Sequence, residues 1–269
     1  MASPTHTATL RRILDSSWVR PFIFLVLIVV LWDVTIRVFK IPPYQIPAPA
    51  DVIRALWVER TRLLSEAVPT TTATLAGFVL AAVFGIGMAM LIAGSRTVES
   101  YVYPLLVFSQ SIPKVAIAPL FVVWFGFGLV PKVISAFLLG FFPVVVAGVQ
   151  GFKSVDQDMR DLARSMKASR LQTFQMVSFP HAMPAIFAGL KVSVTLAVVG
   201  AVVGEFVGAN SGIGYVLQRS IGNFELDVMF AALVILALMG VVLFWLVDLV
   251  ERLLVPWHAS QRHEIYATA

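Results

Sequence analysis

Residues 153–170 read Lys153-Ser154-Val155-Asp156-Gln157-Asp158-Met159-Arg160-Asp161-Leu162-Ala163-Arg164-Ser165-Met166-Lys167-Ala168-Ser169-Arg170, a charged segment with long apolar runs on either side. Charge here does not mean shapelessness. Leu162, Ser165, Met166, Ser169 and Phe174 recur at spacings that suit short amphipathic helices. The segment 152–183 is therefore expected to be a structured connection between two membrane spans.

Six apolar stretches lie around it, at 21–39, 70–94, 101–125, 131–151, 184–207 and 228–250. Each is close to the ~20 residues a helix needs to cross a hydrocarbon core. The whole chain of 269 residues is 59% hydrophobic and 13% charged, where a soluble domain carries about 25% charged residues. Lipid satisfies no backbone groups, so spanning segments must be helices or closed barrels, and the alternating ten-residue pattern of a barrel is missing. The expected fold class is an all-α membrane protein with about six transmembrane helices. Disorder, a coiled coil and an ordinary soluble enzyme are excluded. The chain has no cysteine, which removes disulfides, thiolate zinc sites and cysteine nucleophiles.

Residues 1–20 could pass for the front of a signal peptide, but the next apolar run ends without a convincing small-residue cleavage site. It reads as a retained first span, with Asp33 and Arg37 four apart and able to pair. Orientation follows positive charge. With the N-terminus inside, the inner segments hold eleven Lys and Arg (Arg11, Arg12, Arg20, Arg96, Lys153, Arg160, Arg164, Lys167, Arg170, Arg252, Arg262) and the outer segments five (Lys40, Arg54, Arg60, Arg62, Arg219). That balance favours both termini in the cytoplasm. The chain then divides into a cytoplasmic segment 1–20, a first span with an outer amphipathic loop at 21–69, a transmembrane core at 70–250 containing the charged loop 152–183, and a cytoplasmic tail at 251–269.

The outer loop begins Ile41-Pro42-Pro43-Tyr44-Gln45-Ile46-Pro47-Ala48-Pro49, where proline favours extended backbone. Asp51 is a candidate N-cap for a helix with Val52, Ile53, Leu56, Trp57, Leu63 and Leu64 on one face. That helix either lies on the outer interface or packs over the span ends.

Reacting groups for an enzyme are not assembled. His6, His181, His258 and His263 all lie outside the spans, and Asp33 and Asp248 sit near span ends or basic residues. No lysine follows a glycine, so there is no Walker A phosphate loop. Energy for any driven process must come from another polypeptide.

Helix breakers mark the third stretch. Pro104, Pro113 and Pro119 interrupt it, with Ser109-Gln110-Ser111 just before the second. Irregular backbone at membrane depth is tolerated against protein or water. One reading has Ser109, Gln110 and Ser111 lining a solute path with Lys114 beside them. The other is a kinked packing helix whose hydroxyls bond their own backbone. Gly126-Phe127-Gly128-Leu129-Val130-Pro131 reads as a tight outer turn. Near the end of the fifth span, Glu205 stands among Gly200, Gly204 and Gly208, followed by a polar loop, Asn210-Ser211-Gly212-Ile213-Gly214-Tyr215. Glu205 and Asn210 either shape an outer gate, or Glu205 caps backbone groups.

The charged loop resembles the "EAA" loop of binding-protein-dependent ABC importer permeases. Asp161-Leu162-Ala163 stands in the Glu-Ala-Ala place, Lys167 in the glycine place, Val177 in the isoleucine place and Phe179-Pro180 at the end. Ile112-Pro113-Lys114-Val115-Ala116-Ile117-Ala118-Pro119-Leu120, Trp124-Phe125-Gly126-Phe127-Gly128 and Gly204-Glu205-Phe206 are similar to the nitrate, sulfonate, taurine and pyrimidine-precursor branch. Lys167 departs from the pattern, since a glycine there often takes positive φ.

The resemblance implies a type I ABC importer permease fold in the bacterial cytoplasmic membrane. It implies a second permease copy, two cytoplasmic ATPase subunits, an extracytoplasmic solute-binding protein and surrounding lipid, with no nucleic acid. No cofactor is expected in this chain, and ATP and magnesium belong to the ATPase. A coupling helix at about 161–171 would dock on the ATPase through Asp161, Leu162, Ala163, Met166, Lys167 and Arg170, with Pro180 closing the motif. The expected role is non-catalytic, moving a small organic solute of sulfonate, taurine, pyrimidine or other vitamin-precursor type by alternating access. The alternatives are a permease of the same superfamily with another direction or cargo, an ATP-independent channel, or an intramembrane enzyme.

Overall fold

The computed structural model describes residues 19–258. The expected segments 1–20 and 251–269 therefore fall largely outside the described residues, as do Arg11, Arg12, Arg262, His6 and His263. The described chain is helical. It comprises α1 (Val19–Phe39), α2 (Pro49–Val58), α3 (Arg60–Gly94), α4 (Arg96–Gln110), α5 (Lys114–Phe125), α6 (Leu129–Lys153), α7 (Gln157–Ser165), α8 (Arg170–Thr173), a π-helical segment (Phe174–Ser178), α9 (Phe179–Gly208), α10 (Ile213–Gly222), α11 (Leu226–Leu254) and a closing 3₁₀ turn (Pro256–His258).

Five of the spans are single helices, with α8, the π segment and α9 counted as one. The sixth is the pair α4 and α5, bent by 92° at Ser111–Pro113. Position shows that this pair completes a crossing. Gly94 and Phe152, at the ends of α3 and α6, line one cavity at the face carrying the charged loop. Phe127, just after α5, lies beside Gly208 at the opposite end. The bend has a local cause, because Pro113 has no N–H to continue the helix.

The core is a tight sheaf of α3, α6 and α9. In a membrane the driving force is close packing rather than the expulsion of water, so small residues bring backbones together. A Cβ added at Gly200 would lie 2.6 Å from the Ala136 Cα and 2.8 Å from its N. At Gly204 it would lie 2.7 Å from the Lys132 Cα. No larger residue fits without moving α6 from α9. A second cluster, with Val52, Ala55, Leu63, Ile213, Val216 and Leu217, joins α2, α3 and α10.

Several sequence expectations are corrected. The helix of the second span begins at Arg60 rather than 70, with Pro69 inside it. The outer amphipathic helix is broken at Glu59 into α2 and the start of α3. It covers span ends, and Leu63 is fully buried. Asp51 is not the N-cap. Ala48 is, and Pro49, pre-set for the first turn, starts the helix so that Asp51 sits within it. The stretch 210–215 is not a flexible loop. Gly212, Ile213 and Gly214 are buried, and α10 begins there. The Asp33–Arg37 pair is present at 2.7 Å on α1. α1 exposes its apolar side chains along its length and touches the bundle through Trp32, whose ring lies 5.6 Å from Phe230.

Candidate functional site

The charged loop folds into a knuckle. Asp156 caps α7 by accepting from the Asp158 N–H at 3.1 Å. The helix ends in a Schellman turn. The Lys167 N–H donates to the Arg164 carbonyl at 2.9 Å, and the Ala168 N–H donates to the Ala163 carbonyl at 3.0 Å. Lys167 is the residue in the left-handed region, at φ 57°. The structure thus keeps the backbone conformation the usual glycine would supply and imposes it on a lysine, at a cost of about 1–2 kcal/mol. Ser169 and Gln172 then form a capping box that starts α8. The expected single helix at 161–171 is therefore two helices around a turn, since a residue in this region ends the helix.

The knuckle is fastened to the spans. Phe152 stacks on Phe174 at 5.7 Å, and Phe179 joins both rings. Arg160 donates to the Phe152 carbonyl at 2.9 Å. Pro180 sits in the first turn of α9, just after the π-helical segment, where the Phe179 N–H reaches the Phe174 carbonyl. The chain therefore runs helically from Arg170 to Gly208. At 1.5 Å per residue, that rod carries Arg170 to Glu205 over ~50 Å.

The rest of α7 faces outward. Met159, Leu162 and Met166 are 52%, 60% and 75% exposed. They recur three and four apart, forming one apolar stripe that stays exposed among the described residues. Asp161 is exposed and accepts from Arg164 at 3.0 Å. Ala163 is half-buried, while Lys167 and Arg170 are exposed.

The pathway candidates are not brought together. Ser109 and Ser111 are exposed and Gln110 and Lys114 half-buried at the 92° break. The Ser109 hydroxyl donates to the Leu106 carbonyl at 2.7 Å. Lys114 lies 5.8 Å above the Phe142 ring. Asn210 is exposed at the far end of α9.

Glu205 is elsewhere, sealed in a polar knot. Its carboxylate accepts from Thr70 at 2.9 Å, from the Gly214 N–H at 2.8 Å and from Lys132 at 3.3 Å. Thr70 accepts from the Ile213 N–H at 2.8 Å, and Glu66 accepts from the Gly212 N–H at 2.6 Å. Three successive N–H groups at the start of α10 are thus satisfied by side chains from α3 and α9, as an N-terminus requires. Of the two roles left open for Glu205, this is the geometry of backbone capping.

Sequence reasoning missed Lys132, Thr70 and Glu66. It also missed Lys191, which bridges Asp248 and Glu251 between α9 and α11. Opposite charges in different spans were the available signal, because an intramembrane ion needs a partner. Among the described residues no cluster of metal-ligating side chains occurs.

Known proteins share this architecture. A family model described as the binding-protein-dependent transport system inner membrane component matches residues 81–256. The formylaminopyrimidine transport permease protein ThiX of Halalkalibacterium halodurans is 37% identical over 90% of this chain and 96% of its own. The riboflavin transport system permease protein RibX of Chloroflexus aurantiacus is 36% identical over 88% and 89%. The taurine transport system permease protein TauC of Escherichia coli is 32% identical over 87% and 88%. An inward-facing structure of the MetNI methionine ABC transporter superposes with a TM-score of 0.57 at 19% identity, covering 72% of this chain and 94% of that one, a likeness of fold. Family, relatives and fold agree, and the chain belongs to the binding-protein-dependent ABC transporter permeases, as a multi-pass inner-membrane protein of the branch that includes the sulfonate, taurine and formylaminopyrimidine permeases.

Proposed function

We propose that this permease is one half of an importer's membrane pathway, paired with a second copy and driven by two ATPase subunits docked on the knuckle. The knuckle face is then cytoplasmic, with both termini, and a solute-binding protein delivers cargo at the opposite face. ATP and magnesium act in the ATPase. The chain itself is non-catalytic.

The observation that carries this reading is the exposed stripe Met159, Leu162 and Met166 along α7 and its C-cap. Such a stripe rimmed by charge is an interaction surface. Asp161, Lys167 and Arg170 supply the charged contacts, Ala163 the close packing, and Pro180 the entry into α9. ATPase closure pushes the knuckle, and the rod from Arg170 to Gly208 conveys the push to the far face. Each partner shifts the inward–outward equilibrium only through contacts that differ between the two states. Ser109, Gln110, Ser111 and Lys114, at the bent span, are the path-facing groups, and Asn210 is an outer-gate residue. Glu205 holds the scaffold of that gate rather than lining it.

Cargo follows from the relatives. Proteins named for formylaminopyrimidine and riboflavin are 37% and 36% identical to this chain, which favours a small heterocyclic solute over a bare inorganic anion. Few fixed cations line the spans, which fits.

The test is Leu162→Asp together with Asp161→Arg, in the permease co-expressed with its ATPase. Both variants are expected to insert and stay monodisperse. ATPase co-purification is expected to fall at least tenfold for the first variant and severalfold for the second. Unchanged co-purification of both removes the knuckle as the docking element.

A further inference from the structure

We propose that the cavity between the knuckle and the ends of α3 and α6 binds a phosphate-bearing anion, supplied either by the headgroup of an acidic phospholipid or by free phosphate. The inference goes beyond transport and does not depend on it. It needs only the knuckle and the membrane boundary.

The cavity holds about 340 Å³ and is lined by Arg160 and Arg164, one turn apart on α7, and by Arg170 at the start of α8. Among the described residues no carboxylate lines it. Asp161 engages Arg164 from the rim at 3.0 Å, leaving the lining with a net positive charge. Guanidinium groups stay charged at any ordinary pH; Arg164 and Arg170 carry theirs at the solvent-facing mouth, and Arg160 is half-buried. Arg160 is also under-satisfied. One of its terminal nitrogens donates to the Phe152 carbonyl at 2.9 Å, but its Nε is buried with no hydrogen-bond partner among the described residues. A buried donor left unpaired costs about 1–3 kcal/mol.

The lining also suits the ligand. Met90, Phe152 and Phe174 give an apolar floor, and the Ser178 hydroxyl is a further polar group. The cavity sits where the apolar helices α3 and α6 end, at Gly94 and Lys153, and under this proposal lies at the headgroup boundary. Guanidinium forks match phosphate oxygens in pairs, and basic pockets between spans at a membrane surface take acidic headgroups. An anion here bridges α7 and α8 across the strained Lys167 turn and locks the knuckle.

The experiment is native mass spectrometry of the full chain in detergent, titrated with phosphatidylglycerol, phosphatidylcholine or inorganic phosphate. Phosphatidylglycerol is expected to bind at least fivefold more tightly than phosphatidylcholine. Arg164→Gln with Arg170→Gln is expected to lose that preference, while Arg60→Gln, exposed and remote from the cavity, keeps it. If the double variant fails to fold, Arg164→Lys with Arg170→Lys keeps charge without the fork and is expected to lose preference two- to threefold. Displacement of phosphatidylglycerol by millimolar phosphate assigns the site to free phosphate, and retention assigns it to the headgroup. Equal binding of both lipids with no bound phosphate, or an undiminished preference in a folded variant, overturns the proposal.

Discussion

Lys132 and Glu205 meet 3.3 Å apart across α6 and α9, with side chains 5% and 0% exposed. The ammonium also donates to the Ser211 carbonyl at 2.6 Å, so the pair fixes the chain segment that leads into α10. A buried pair of this kind is not a large net gain, because both charges leave water. Losing one member is costly, because the other stays buried and unpaired.

Glu205→Gln is accordingly expected to destabilise the permease by about 3 kcal/mol, leaving the Lys132 charge alone. Lys132→Met with Glu205→Gln is expected to be milder than either single change. Thermal unfolding in detergent of the four proteins measures this, and additive losses would show that the two side chains do not act as a pair.

Gly200 is where α9 touches the α6 backbone, with a virtual Cβ 2.6 Å from the Ala136 Cα. Gly200→Leu forces the helices apart and is expected to cost at least the 1–3 kcal/mol of an overpacked core. A large fall in the yield of monodisperse protein, absent for the open position Gly240, is the readout.

Lys167 occupies the left-handed region at φ 57°. Lys167→Gly is expected to stabilise the knuckle by about 1 kcal/mol, which is roughly a fivefold gain in amide-exchange protection at Ala168. Lys167→Val, β-branched and poorly suited to that conformation, is expected to lower protection. Equal exchange in all three proteins would remove backbone strain from the account.

Lys191 bridges Asp248 and Glu251 and so ties α9 to α11. Lys191→Met leaves two carboxylates facing each other and is expected to loosen α11, seen as faster proteolysis near its end. Lys191→Arg is expected to retain the tie. If the methionine variant resists protease as well as the parent, the tie carries no stability.

The sequence legible by eye was that governed by length, period and local breakers. Apolar runs long enough for a bilayer give the spans, Pro113 gives the broken helix, and the segment from Asp161 to Pro180 carries the resemblance to the family. Local rules failed where a partner distant in the chain decides. Asn210 to Tyr215 reads as loose loop because its glycines and polar groups carry no period. Gly212 and Gly214 are buried with their N–H groups accepted by Glu66, lying 146 residues from Gly212, and by Glu205.

The amino-acid sequence by itself thus determined that this chain crosses a membrane as helices, because lipid accepts no other open backbone, and that it carries a patterned knuckle between its fourth and fifth spans. Only the tertiary structure decided that Glu205 is buried against the start of α10 and that Lys167 takes a glycine's conformation. It also decided that three arginines share one cavity. Those outcomes depend on which side chains meet across helices, and meeting is set by packing in space rather than by separation along the chain.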